Sequence, residues 1–347
     1  MFGSMRRKSR FSLLCGWSML AACAPNVDRG GEVIRIDCRD VRVVDLDNYT
    51  PILIQADHIL GTIEHVCFLE SVMLIHERGT LSGYDFETGE MLHLYSQKGR
   101  ASDEYVSLWG FNTGNGRLYL QDFSGGKTLV YSPEGELCEV LSGGGDPKTF
   151  QAFAVQKDGR IIGKRSFQGM PTPELSLWDK DLHYMTDLTD ELKIQSGIML
   201  SYPFSYGPDG EILYIRYFRN QIYSVSNEGV RIKYEVDFCS RNFEVMKDGK
   251  DEYDALDHFN QSKGKASFIS QVYEDEKTLS FSFIMSPEGA ALAVYDKVEG
   301  ASSVIRFVTR DEFGYAVSHM GVCYVFTQNE DGATFCYPIP LRDLRIT

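Results

Sequence analysis

The chain has few basic residues and no hydrophobic run long enough to cross a membrane as a helix. Lysine and arginine number 35 against 49 aspartates and glutamates, so the 347-residue sequence has a formal net charge of −14. An acidic surface repels phosphate backbones, and nucleic acid is therefore not an expected partner. The apolar stretch from Phe11 to Ala22 is shorter than the roughly 20 residues that a membrane-spanning helix needs.

Motifs for the common catalytic chemistries are missing as well. The sequence has no His-Glu-x-x-His pair, no Gly-x-Ser-x-Gly turn and no Gly-x-x-x-x-Gly-Lys-Ser/Thr phosphate loop. Its seven histidines are scattered singly, so a metal site would need ligands from distant segments. Four aspartates at three-residue spacing fit a solvated helix face better than a calcium loop: Asp248, Asp251, Asp254 and Asp257. The sequence therefore predicts no metal site and no cofactor.

The eight cysteines are widely spaced, and none forms a Cys-x-x-Cys redox pair. Cys15 and Cys23 lie near the N-terminus, which leaves six cysteines in the body of the chain. An exported protein could pair them, but the spacing fits isolated buried cysteines better than a disulfide framework. Cys323 and Cys336 are the pair that could meet across one hairpin.

The N-terminus has the pattern of an export signal. A basic segment, Arg6 to Arg10, precedes the apolar stretch, and Leu20-Ala21-Ala22-Cys23 resembles the bacterial lipobox. The cysteine thiol would form the thioether to the lipid. We therefore predict a lipoprotein signal peptide over residues 1–22, lipidation at Cys23 and a tether over residues 23–32. An ordinary cleaved signal with an incidental cysteine is the alternative.

The body of the chain repeats with a period of about 46 residues. Turn residues recur at positions 89, 135, 181, 229 and 300, and the last interval contains a polar insertion, Ser240 to Gly264. Dipeptides that favour tight turns, such as Asn115-Gly116 and Asp209-Gly210, divide the repeats further. Four short strands per repeat are typical of a propeller blade. The predicted blades are residues 60–97, 108–141, 150–188, 201–238, 266–307 and 313–341.

The fold class that follows is all-β, a six-bladed β-propeller in a single domain over residues 33–347. The last blade shows only three strands, and the alternating segment Ile34–Val44 is predicted to complete it, which closes the ring and removes an exposed edge. Apolar residues between Phe243 and Phe259 predict a short helical insertion between blades 4 and 5.

The chain resembles the six-bladed β-propeller lipoproteins of Bacteroidetes, a TolB-like group mostly of unknown function. Besides the lipobox, the resemblance rests on three segments: Gly99–Tyr105, Phe218–Val225 and Tyr234–Phe238. The chain departs from the family at residues 101–103, where the family usually has Gly, Pro and Gly. The resemblance implies the fold and a place in the cell envelope, and it implies no reaction.

The predicted location is the outer membrane, with the periplasmic face preferred because no dense acidic run follows Cys23.

The mouth of the ring, where connections between blades converge, is the predicted binding region. Arginine and tyrosine provide planar donors and a large contact area at modest entropy cost. The candidates for ligand or partner binding are Arg100, Glu104, Tyr105, Tyr202, Arg216 and Arg219. The alternative is that Glu104 pairs with Arg100 and that the tyrosines pack between blades.

These observations favour a lipid-anchored module that binds a protein or a small molecule over an enzyme, and they leave catalytic activity open. The first alternative is a propeller lyase or hydrolase, which would require His, Asp or Glu side chains from different blades to converge in the central channel. The second is a structural accessory subunit of an outer-membrane transport or secretion complex, which would require a broad apolar patch.

Overall fold

The computed structural model describes residues 30–345 except 78, 96–97, 123, 143–149, 151, 166–172, 190–201, 217 and 245–251. The predicted signal peptide, Cys23 and most of the predicted tether therefore lie outside the described residues. Within them the chain forms six sheets of four or five strands and two helices. No helix in this part of the chain is long and apolar enough to span a membrane.

Three short strands precede the first blade: β1 (Glu32–Arg35), β2 (Val41–Asp45) and β3 (Ile52–Leu53). Blades 1 and 2 contain β4 (Ile63–Leu69), β5 (Val72–Glu77), β6 (Thr80–Asp85), β7 (Met91–Leu94), β8 (Leu108–Gly114), β9 (Arg117–Asp122), β10 (Lys127–Tyr131) and β11 (Leu137–Leu141). Blades 3 and 4 contain β12 (Ala152–Val155), β13 (Ile161–Lys164), β14 (Leu175–Trp178), β15 (Tyr184–Asp187), β16 (Phe204–Tyr206), β17 (Ile212–Ile215), β18 (Gln221–Ser226) and β19 (Gly229–Asp237). Blades 5 and 6 contain β20 (Ala266–Glu274), β21 (Thr278–Met285), β22 (Gly289–Asp296), β23 (Ala301–Val308), β24 (Glu312–His319), β25 (Val322–Gln328) and β26 (Thr334–Pro340).

The first strand of each blade is its innermost strand. These six strands contact one another in the order β4, β8, β12, β16, β20 and β24, and β24 returns to β4, which confirms the six-bladed propeller. Every innermost strand begins at a connection between blades and ends in a short turn. We call the end of the ring where these strands begin the loop face, and the end where they finish the turn face.

The predicted turn residues have the backbone that tight turns require. In the turns after β8 and β16, Asn115 and Gly116 have φ of 52° and 66°, and Asp209 and Gly210 have φ of 60° and 73°. Left-handed backbone favours glycine and tolerates Asn and Asp better than bulky residues. These local preferences explain why the blade boundaries agree with the repeat in the sequence.

An N-terminal strand closes the ring, but it is not the predicted segment Ile34–Val44. The closing strand is β3, which pairs with β26 as the fourth strand of blade 6. The predicted segment is divided in two, because β1 pairs parallel with β19 in blade 4 and β2 pairs parallel with β23 in blade 5. A turn at Asp37, whose carboxylate accepts from the backbone of Arg39, takes the chain from one blade to the next. Alternation alone does not specify which strand is the partner.

The predicted insertion forms α1 (Glu252–Gln261) between blades 4 and 5. Its buried residues Ala255 and Phe259 pack against Phe218 and Phe243, with Phe268 at the edge of the cluster. Because Phe218 and Phe268 lie where strands meet the loop face, α1 covers one rim of that face. A second helix, α2 (Leu341–Leu344), follows β26 at the turn face.

The six described cysteines are free, so Cys323 and Cys336 form no disulfide. Both are fully buried in the core, as is Cys38 with 2% exposure. The cysteines are therefore isolated, as predicted, but the expectation that they are buried holds for only these three, because Cys67 is half-buried and Cys138 and Cys239 are exposed.

Candidate ligand cavity

The axis of the ring contains a cavity of about 340 Å³, and strands or adjoining residues of all six blades contribute to its walls. Each innermost strand presents two to four consecutive residues to it, and the walls are mainly apolar and aromatic. The cavity reaches the turn face, where Met320 contributes to the lining with 75% of its surface exposed. The ring therefore contains a pocket with its mouth at the turn face.

Two stacked rings lie across the channel at the other end of the cavity. Tyr202, just before β16 in blade 4, reaches His65 of the opposite blade 1, and the ring centroids are 3.6 Å apart with an interplanar angle of 7°. The Tyr202 hydroxyl lies 2.9 Å from Nδ1 of His76, and Nδ1 of His65 lies 2.8 Å from the hydroxyl of Tyr315. Phe111 of blade 2 packs edge-on against Tyr202. Side chains from four blades thus fix the inner end of the cavity.

A second stacked pair lies nearer the mouth. Phe68 of blade 1 and His319 of blade 6 have ring centroids 4.3 Å apart and an interplanar angle of 6°. Burial lowers the pKa of His319 to about 4 and the pKa of His65 to about 3. Both imidazoles are therefore uncharged at neutral pH.

The one carboxylate in the described walls is neutralised. The side chain of Glu274, which is 1% exposed, accepts from the ammonium groups of Lys233 and Lys297 and from the hydroxyl of Tyr234, each at 2.7 Å. These contacts supply the partners that a buried charge requires. They also join blades 4 and 5 beside the cavity.

Several other polar groups of the wall are already bonded to the protein. The hydroxyl of Tyr206 is 2.9 Å from the amide of Val155, and the amide nitrogen of Asn112 donates to the carbonyl of Phe153 at 2.6 Å. Gln271 is different, because it lies in an irregular part of β20 with φ of 51° and its side chain has no partner within the described chain. Such strained positions in strands concentrate at functional sites.

Of the six predicted site residues, only Tyr202 lines the cavity. Arg100 and Arg219 are exposed. Arg216 forms an ion pair with the buried Glu174 at 2.5 Å and lies over the ring of Tyr223.

Glu104 and Tyr105 organise their own loop. Glu104 accepts from the backbone amide of Ala101 at 2.9 Å, and Tyr105 is buried with its hydroxyl donating to the carbonyl of Gly79 at 3.2 Å. A Cβ on Gly99 would lie 1.7 Å from the carboxylate of Glu104, which explains the glycine in this segment. The contact predicted as an alternative, between Glu104 and Arg100, is thus replaced by a contact with the backbone.

The histidines that line the cavity were not among the predicted site residues. His65 and His319 are isolated in the sequence, and the fold alone places them on one axis. The sequence signal that could have identified them is their position on the first strand of blade 1 and of blade 6, because the first strand of each blade lines the axis.

Among the described residues, one group of three side chains could hold a metal ion: Asp179, Asp181 and His183. This group lies in the exposed turn between β14 and β15, and Asp179 accepts from the backbone of Asp181 and His183. These bonds shape the turn. The group is in the outer part of blade 3, away from the axial cavity.

The fold and the cavity define the class of this protein, a six-bladed β-propeller with a pocket on its axis. The chain belongs to the DUF4934 family, described as a domain of unknown function, which matches residues 52–344. A search of curated proteins finds no match.

Two solved structures from Bacteroides have a similar fold. One, a protein of Bacteroides fragilis named as exported, has 13% identity and a TM-score of 0.69, and the match covers 89% of this chain and 99% of that one. The other, a DUF4221 member from Bacteroides vulgatus, has 10% identity and a TM-score of 0.59, with 83% and 95% covered. At these identities the comparison shows the fold alone.

Proposed function

We propose that this protein is a binding module of the cell envelope and that the axial cavity is its ligand site. The observation that carries the proposal is the cavity itself, with walls from six blades and a mouth at the turn face. Its volume of about 340 Å³ lies within the range of about 300–1,000 Å³ that is typical of small-molecule sites. The surrounding sheets hold the walls in place.

Binding is favoured over catalysis by the state of the ionisable groups. Catalysis by a channel metal or by paired carboxylates would need free carboxylates or several ligands that converge. His65, His319 and Glu274 line the described walls from three blades, but they do not form one of the groups whose ligand atoms lie close enough together to hold a metal ion, and two lysines occupy the carboxylate of Glu274. Binding requires only the shape and polarity of the walls.

The second alternative, an accessory subunit, would use a broad apolar surface. The most exposed large apolar side chains in the described chain, Val298, Met320 and Ile59, lie singly on different connections. Single exposed apolar residues are usual on soluble surfaces, so these three side chains by themselves do not indicate a docking surface.

We further propose that lipid on Cys23 holds the turn face towards the membrane. Strand β1 is parallel to β19, which runs from the turn face to the loop face, so the chain enters the ring from the turn-face side. Gly30 is seven residues after Cys23, and seven extended residues span at most about 25 Å. The cavity mouth would then open on the membrane side. An envelope location is in keeping with the exported Bacteroides fragilis protein of similar fold.

The binding site can be tested with N-phenyl-1-naphthylamine, an apolar dye that fluoresces when it leaves water. Residues 24–347 should bind one dye molecule with saturation. Ser205→Trp, which places a large side chain on the cavity wall, should weaken binding at least tenfold, and Met320→Trp should do the same from the mouth. Ser102→Trp, on an exposed loop, is the matched control and should bind as the native protein does. Equal binding by all four proteins would contradict the proposal.

The anchor is tested separately in the native host. Cys23→Ala should prevent lipid attachment and leave the protein soluble or uncleaved. A processed, membrane-bound variant would show that the anchor is wrong and would leave the cavity proposal standing.

A further inference from the structure

The described walls of the cavity present flat rings and no free charge. His65 and Tyr202 form a stacked pair at the inner end, and Phe68 and His319 form a second pair nearer the mouth. Stacked and edge-on ring contacts contribute about 0.5–1.5 kcal/mol beyond the apolar area that they bury. A ligand with a flat ring would find such partners at both ends of the cavity.

The charges around the cavity cancel locally. Glu274 is the one charged residue in the described wall, and the ammonium groups of Lys233 and Lys297 surround its carboxylate. Lys233 also contacts the carboxylate of Glu211 at 2.5 Å, outside the cavity. An anion in the cavity would find no unpaired cation in the described wall. A cation would find the carboxylate of Glu274 already paired with two lysines. Either ion would lose its hydration without gaining a partner.

Polar groups without a protein partner remain in the wall. Within the described chain, neither the amide of Gln271 nor the imidazole of His319 has a hydrogen-bond partner. Each can donate or accept one bond without a charge. A few such groups in an otherwise apolar pocket usually set the orientation of a ligand.

We propose that the cavity binds an uncharged molecule with a flat ring and one or two polar atoms, in contact with the Phe68–His319 pair and with Gln271. This assignment rests on the proposed function, because it names the class of ligand for the same cavity. A site for a phosphate, a carboxylate or an amine would instead have an unpaired charge of the opposite sign on its wall.

Two dyes with the same ring skeleton test the assignment. N-Phenyl-1-naphthylamine is uncharged, and 8-anilino-1-naphthalenesulfonate adds one sulfonate to it. In titrations of residues 24–347 at pH 7 we expect the uncharged dye to bind at least tenfold more tightly than the sulfonate. Equal or tighter binding of the sulfonate at a site blocked by Ser205→Trp would overturn the uncharged class and retain the cavity as a site. Failure of both dyes to bind would contradict the proposed function itself.

A charge variant tests the cause of the preference. Glu274→Gln removes the carboxylate that neutralises Lys297, so it should strengthen binding of the sulfonate at least threefold and leave the uncharged dye nearly unchanged. Glu211→Gln is the control, because Glu211 contacts Lys233 without lining the cavity. If both variants change the ratio of the two dye affinities equally, the claim that Glu274 neutralises the charge beside the cavity is wrong. Circular dichroism on each variant verifies the fold, and the wild-type comparison of the two dyes stands if Glu274→Gln does not fold.

Discussion

Tyr202 crosses the axis of the propeller and stacks on His65 of the opposite blade, with ring centroids 3.6 Å apart and an interplanar angle of 7°. The hydroxyl of Tyr202 also contacts His76, which lies in blade 1 beside His65. One side chain from the beginning of blade 4 therefore forms the inner end of the cavity and links two opposite sides of the ring.

The hydroxyl and the ring of Tyr202 should contribute separately to stability. Tyr202→Phe removes the contact with His76 and keeps the stack, so we expect a loss of about 1 kcal/mol in the free energy of unfolding. Tyr202→Ala also removes the stack and leaves a void, and we expect a loss of about 3 kcal/mol. Urea unfolding measures both, with the exposed Tyr184→Phe as the control. Equal losses for the Phe and Ala variants would contradict the role of the ring.

Strand β1 should contribute to the core although it precedes the family-matched segment. Ile34 is 0% exposed and packs with core residues of blades 4 and 5, while the adjacent Val33 is 56% exposed. Ile34→Ala should lower the free energy of unfolding by about 2–5 kcal/mol. Val33→Ala is a matched control from the same strand and should change it by less than about 0.5 kcal/mol. Similar effects of the two substitutions would contradict the pairing of β1 with β19.

These N-terminal strands mark the limit of prediction from the sequence. The six blades and the helical insertion could be predicted, because turns such as Asn115-Gly116 determine their backbone locally. The partners of β1 and β2 could not, since alternation indicates a strand without indicating which edge it joins. The cavity is harder to predict, because its walls come from six segments up to about 250 residues apart, and Tyr202 is the one predicted site residue that lines it.

Burial of His319 should make the protein less stable in mild acid. Its pKa is lowered to about 4 in the folded state from the ordinary 6.5, so the unfolded chain takes up the proton more readily between those values. The contribution of the neutral imidazole to the free energy of unfolding is fully present above pH 6.5 and is lost as the pH falls towards 4. At pH 5 the free energy of unfolding should be lower by about 2 kcal/mol. Urea unfolding at pH 7 and pH 5 should therefore show a smaller acid loss for His319→Phe than for the native protein. The same acid loss in both would contradict a neutral, half-buried imidazole, and His183→Phe in an exposed turn serves as the control.

The orientation on the membrane can be read from fluorescent probes on the two faces. Met320→Cys and Val298→Cys place a label on the turn face, and Ile59→Cys places one on the loop face, in a background with Cys138→Ser and Cys239→Ser. These three native side chains are 71–76% exposed, so the substitutions leave the core intact. With the lipidated protein in vesicles, a lipid-borne quencher should reduce the signal from residues 298 and 320 more than that from residue 59. Stronger quenching at residue 59 would contradict the orientation, and mass spectrometry of the anchor verifies lipidation beforehand.

The central claim is that the axial cavity holds the ligand, and the most direct test locates a bound probe in a crystal. A brominated N-phenyl-1-naphthylamine soaked into crystals of residues 24–347 gives an anomalous signal at the bromine. We predict one principal peak inside the ring, between the Phe68–His319 pair and the Tyr202–His65 stack. Peaks confined to the outer surfaces of the blades, with the cavity empty at a saturating dye concentration, would contradict the account.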